Sequence, residues 1–181
     1  MLKLPFLFLI FSSLAGAAMA NPFRLCMASA ISGTLVYEGE PLANTKIIRE
    51  VSKPYQPSFK TYTFQTDEQG NFSVPVVYMY SFLGQFLPMQ FVSHDLMSVV
   101  INGEKINFWN VARRKPEPNI ESRGENLVIQ CAVKNELEIV RVNEQMIFSN
   151  CSLNVATDPE EVWTEENIFD DSLNHKGSKD E

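Results

Sequence analysis

Apolar and polar residues alternate with a period of two along most of the chain. Ile31, Gly33, Leu35 and Tyr37 alternate with Ser32, Thr34, Val36 and Glu38, which predicts a first strand. Glu38-Gly39-Glu40-Pro41 breaks it. A second strand is expected over Thr45–Val51, and Lys53–Ser58, with Pro54 and Pro57, reads as a loop. Tyr62, Phe64 and Thr66 mark a third strand, and Phe72, Val74 and Val76 a fourth. Phe91–Ile101 and Glu104–Ala112 flank Asn102-Gly103, a pair that tolerates the positive φ of a type I′ turn, and so predict a hairpin. Leu127–Val133, Leu137–Val142 and Met146–Asn150 complete about nine strands. No segment before residue 157 keeps a helical period for three turns. The pattern predicts an all-β, antiparallel sandwich of about 7–9 strands.

Two stretches stand outside the pattern. Tyr78–Met89 is rich in aromatic and aliphatic residues without a clean period. It reads either as a lid over an open end of the sandwich or as an exposed contact patch, with Phe82, Phe86 and Leu87 as candidate partner contacts. From Thr157 to the end the chain carries nine acids and two lysines. Asp158 is a fair N-cap and Pro159 suits a first turn, so a short helix is expected there, followed by disorder after Asp170.

The N-terminus has the form of a secretory signal peptide. Lys3 gives a positive start, Leu4–Phe11 is almost purely apolar, and Ala18-Met19-Ala20 fits small-x-small cleavage. The expected division is therefore signal peptide 1–20, β-sandwich domain 21–156 and acidic tail 157–181. Cys26 follows Phe23-Arg24-Leu25, which is unlike a lipidation site, and no membrane span is expected after cleavage. Export makes disulfides plausible. Cys131 lies within one strand-like run, Leu127–Val133, and Cys151 ends another, with one short strand between them, which predicts a Cys131–Cys151 bridge and leaves Cys26 unpaired near a flexible N-terminus.

The whole chain is formally −7, and so is the tail, so the body is neutral. That argues against nucleic acid, whose binding rests on many Lys and Arg contacts to phosphate. The dense basic run Arg113-Arg114-Lys115 reads as a solvated strand end.

The stretch TDEQGNFSVP decides between a metal loop, an acid pair and a turn. Asp67 and Asn71 lack the ligand series of a calcium loop, and Asp67 and Glu68 are adjacent, so they would face opposite ways in a strand. A turn explains every residue: Thr66 leads in, Asp67 caps it, Gly70 takes positive φ and Phe72 starts the next inward row.

ISGTLVYEGEPLANTKI followed by FQTDEQGNFSVP resembles the start of carboxypeptidase-regulatory-like domains, which are transthyretin-like β-sandwiches. The matching residues are Gly33, Gly39, Pro41, Leu42, Thr66, Asp67, Gly70 and Phe72, within Ile31–Val77. The resemblance implies a sandwich fold and a non-catalytic role. The later part, from INGEKINFWNVARRK to the terminal Asn-Cys, is more similar to a small bacterial envelope family of uncharacterised proteins.

Catalytic equipment is not evident. His94 and His175 are the two histidines, and neither stands in a zinc-ligand spacing. No nucleophile elbow, phosphate loop or dinucleotide fingerprint occurs. His94 beside Asp95 reads as a strand residue, and Trp109 as core in preference to a sugar platform. No catalytic residue, cofactor or metal is expected. The leading expectation is an exported protein-binding module of the bacterial envelope, with neutralisation of a toxin or enzyme as one form. The alternative is a carbohydrate-binding or surface-adhesion module, and an enzyme is the weakest reading.

Overall fold

The computed structural model describes residues 24–54, 58–81, 91–134 and 136–159. The expected signal peptide, the contacts Phe82, Phe86 and Leu87, and the tail from residue 160 lie outside the described residues. Within these residues thirteen strands follow in order: β1 (Arg24–Ala28), β2 (Ile31–Tyr37), β3 (Glu40–Pro41), β4 (Lys46–Ser52), β5 (Phe59–Gln65), β6 (Asn71–Val74), β7 (Val77–Tyr80), β8 (Ser93–Ile101), β9 (Glu104–Arg113), β10 (Leu127–Ala132), β11 (Glu138–Val142), β12 (Gln145–Ser149) and β13 (Cys151–Leu153). The one helical element among the described residues is a 3₁₀ turn, Ile120–Ser122.

Six strands form one antiparallel sheet in the order β11-β12-β9-β8-β4-β5. A second sheet runs β13-β10-β2-β3, with β6 also paired to β2. β1 and β7 make a separate antiparallel ribbon. The predominantly antiparallel all-β architecture is as expected, with one departure: β2 and β10 pair in parallel, Ile31 opposite Leu127 through Val36 opposite Ala132. A parallel pair needs a long crossover, and the intervening chain supplies it by building most of the other sheet. Gly33 permits the close approach of these strands. A Cβ there would stand 1.9 Å from the carbonyl oxygen of Ile129, so no other residue fits without moving the backbone.

Alternation drives the packing. In β10 every second residue, Leu127, Ile129 and Cys131, is buried, and in β6 Phe72 and Val74 are. These meet Ile47, Met97, Val99, Phe108, Trp109 and Val111 from the six-stranded sheet in one apolar core. Trp109 is wholly buried there. Phe72 meets Phe108 edge-on, with centroids 6.2 Å apart.

The hairpin between β8 and β9 turns at Asn102 and Gly103, with φ of 53° and 84°. Asn143 and Glu144 make a second such turn between β11 and β12, at φ of 52° and 65°. Neither is glycine, so the turn needs support. The Asp158 carboxylate supplies it by accepting the N–H groups of Asn143 (3.0 Å) and Glu144 (2.8 Å). Asp158, expected to cap a helix of its own, thus closes a distant hairpin; residues 156–159 take no regular secondary structure.

β1 corrects the expectation of a flexible N-terminus around Cys26. The strand is hydrogen-bonded to β7, the N–H of Cys26 donates to the carbonyl of Pro116 (2.8 Å), and Cys26 is wholly buried and unpaired. The signal was weak because a five-residue strand with one exposed end shows too few alternations to be read.

Candidate functional site

The Thr66–Phe72 stretch is a turn. The carboxylate of Asp67 accepts the N–H groups of Gln69 (2.9 Å) and Asn71 (2.8 Å) and the side-chain amide of Asn71 (2.9 Å). These bonds favour the ionised form and hold the Asp67 carboxyl below its usual pKa. Thr66 is buried, and its hydroxyl donates to the carbonyl of Leu42 and accepts the N–H of Thr45. Gly70 has φ +77°, and Phe72 enters the core. All described contacts of the Asp67 carboxylate are donors from its own turn, which leaves its role structural.

Cys131 and Cys151 are directly opposite on β10 and β13 and form a disulfide with an S–S distance of 2.05 Å. It ties the second sheet together across a sequence separation of 20 residues.

A buried ionic cluster occupies one end of the inner face of the six-stranded sheet. Arg49 on β4 pairs with Asp95 on β8 through two bonds, Nε to Oδ1 (2.8 Å) and Nη2 to Oδ2 (2.6 Å). Two further donors reach the backbone carbonyls of Ser29 (2.7 Å) and Pro75 (2.8 Å). Burial works against the Arg49 charge, but Asp95, its hydrogen bonds and the Glu121 charge together outweigh it and raise the pKa. Arg113 on β9 pairs with Glu121 on the 3₁₀ turn (2.8 Å) and donates to the carbonyl of Glu117. Ser29 joins the groups: its hydroxyl donates to Glu121 (2.7 Å) and accepts from Arg113 (2.7 Å) and from the N–H of Asn119 (2.8 Å). All four charged side chains are at most 1 % exposed. Burial raises the pKa of Glu121, and the Arg113 charge only partly offsets this. Burial likewise raises that of the Cys26 thiol, against the pull of Arg113.

This cluster corrects the reading of Arg113-Arg114-Lys115 as a solvated strand end at its first residue: Arg113 is wholly buried, while Arg114 and Lys115 are exposed. It is also what sequence reasoning missed. The partners are far apart in the chain: 46 positions separate Arg49 from Asp95, and 92 separate Ser29 from Glu121. Every acid here faces a cation and the cluster is closed to solvent, so it holds the fold and offers no reactive group to a substrate.

His94 lies on the outer face of β8 and is exposed, while its neighbour Asp95 points inward to Arg49. The two belong to different sides of the sheet and do not form a pair. Among the described residues, no three His, Cys, Asp or Glu side chains gather at metal-binding distance, and no helix is long and apolar enough to cross a membrane.

The outer face of the same sheet is the notable surface. Across β11, β12, β9 and β8 one row runs Ile139, Phe148, Asn110, Leu96. Met146 adjoins it opposite Arg141. Ile139 is 62 % exposed and Met146 44 %, while Phe148 and Leu96 are half-buried. A shallow pocket lined by Arg141, Glu144, Met146, Asp158 and Pro159 adjoins this patch.

The chain belongs to the family described as a domain of unknown function (DUF6795), whose model matches residues 31–136, more than half of its length. The matched span contains both buried ion pairs and ends before β11. No curated protein and no solved structure was found to match the chain.

Proposed function

We propose that this member of the family is an exported, non-catalytic protein of the bacterial envelope that acts by binding another protein. One observation carries the reading: Ile139, Met146, Phe148 and Leu96 share an outward sheet face on which Ile139 and Met146 are left substantially open to solvent. Apolar side chains grouped on one open face are what protein partners cover, and large ones at the centre of such a face dominate the binding energy. The β1–β7 ribbon also offers an exposed aromatic side chain. Tyr80 is 68 % exposed, and Phe82, Phe86 and Leu87 follow it in sequence.

The export half of the proposal rests on the signal-like N-terminus and the Cys131–Cys151 bridge, which suits an oxidising compartment. The family half rests on two facing sheets and on the Asp67-centred turn, both in keeping with a carboxypeptidase-regulatory-like sandwich. The acidic residues after Thr157 suit a basic partner, a toxin or enzyme to be neutralised, and would steer its approach. The carbohydrate reading loses its best candidate because Trp109 is wholly buried and cannot stack on a sugar.

The test is capture from envelope extract by the immobilised protein. The expected result is one protein retained in stoichiometric amount and released more readily as salt is raised. Reproducible hydrolase activity of the purified protein, lost on His94→Ala, would overturn the proposal.

A further inference from the structure

The two edges of the six-stranded sheet are finished differently. On β11 the chain after β13 returns to the edge, where the N–H of Asp158 donates to the carbonyl of Arg141 (2.7 Å). β5 is paired to β4 through all seven of its residues, and no described residue pairs with its other side. The N–H of Thr66 donates to the carbonyl of Thr45, just beyond the paired strands. Even-numbered residues therefore turn their backbone groups toward β4, and odd-numbered ones, Phe59, Thr61, Thr63 and Gln65, turn theirs outward. Exposed edges are normally blunted by proline, a bulge or several charges. β5, FKTYTFQ, has no proline, an unbroken register with β4, and a single charge at Lys60.

We infer that β5 is a homodimer interface, in which two copies pair these strands antiparallel about a two-fold axis at Tyr62. This goes beyond the partner-binding proposal and does not depend on it. The strand itself selects a second copy as occupant. With Tyr62 opposite its own copy, Thr61 faces Thr63 and Phe59 faces Gln65, so outward-turned residues meet outward-turned residues. Every outward N–H then finds a carbonyl across the ladder. This symmetric register is also the one that uses all seven residues. It places threonine pairs across the junction, a favourable cross-strand combination. Lys60 falls opposite Phe64, and the two Lys60 residues stand four positions apart along the ladder, roughly 13 Å. That exceeds the screening length of about 8 Å at physiological salt, so self-pairing meets little charge repulsion. The product is a continuous sheet made from both six-stranded sheets.

Sedimentation equilibrium of the purified protein from low to high micromolar concentration tests the inference. The expected result is a concentration-dependent dimer. Thr63→Pro removes an outward N–H and leaves the β4 ladder intact, as edge prolines do. It should weaken dimerisation at least about tenfold, since symmetry deletes two hydrogen bonds at once. Thr63→Lys, which sets two ammonium groups diagonally across the junction, should act in the same direction. Should Thr63→Pro lower the melting temperature of the diluted monomer, the Thr63→Lys result decides alone. A monomer at every concentration, or a dimer indifferent to Thr63→Lys, overturns the interface.

Discussion

The two faces of the six-stranded sheet are made by the same strands and obey different rules. The inner face carries Ile47, Met97, Val99, Trp109 and Val111 at one end and the Arg49–Asp95 and Arg113–Glu121 pairs at the other. Its charged groups are all matched, and its apolar groups pack against the second sheet. The outer face carries Ile139 and Met146 open to solvent beside Phe148 and Leu96, and nothing in the described fold needs them there. Folding accounts for the first set of residues, whereas the second is assigned to the proposed partner. Substitutions on the inner face should therefore cost stability, and substitutions on the outer face should cost binding.

The largest effect is expected at the ionic end. Asp95→Ala leaves the Arg49 guanidinium buried without its counter-charge, and removing one partner of such a pair costs roughly 3–5 kcal/mol. Urea unfolding would show it as a fall in midpoint, in a sample that refolds reversibly. A loss under about 1 kcal/mol would mean that water reaches Arg49 and that the inner face is less closed than described.

A smaller loss is expected at the disulfide. Cys131→Ser removes a cross-link spanning 20 residues, worth about 3 kcal/mol in the chain-entropy model. The comparison is sharpened by adding reductant to the native protein, which should lower its unfolding midpoint to that of the variant. No effect of reductant on a protein recovered from an oxidising compartment would show that the bridge does not form there.

The smallest inner-face effect is a pH dependence. Burial raises the Cys26 thiol above its ordinary 9.0, so the folded protein holds that proton where the unfolded chain releases it. The resulting stability is complete below pH 9.0 and is lost as pH rises through the folded value. Melting temperature should fall more steeply above that pH in the native protein than in Cys26→Ala. Parallel profiles would mean that the thiol reaches solvent.

Much of this fold was legible because sheets write a period of two into the chain. β2, β4, β8, β9 and β10 each offer five or more alternating positions, and the Asn102-Gly103 turn and the Cys131–Cys151 pairing follow from local pattern. The short β1 and β13 offer too few. The candidate surface was harder. Ile139, Met146 and Phe148 are ordinary strand residues, and whether such a residue faces core or solvent depends on which sheet face the second sheet covers. The buried ion pairs were illegible for a related reason. A charged residue inside a strand looks like a solvent-facing one until its partner is known, and Glu121 reaches Arg113 only because the link between β9 and β10 folds back as a 3₁₀ turn.

The most direct test of the account measures both properties on one variant of the outer face. Ile139→Ser combined with Met146→Ser removes the two most exposed apolar side chains of the β11–β12 patch and touches no described hydrogen bond or ion pair made by a side chain. The account predicts an unchanged melting temperature, within what surface substitutions normally produce, together with loss of the protein captured from envelope extract by the native chain. A variant that melts early while still capturing that protein would contradict it, and would place these side chains with the core.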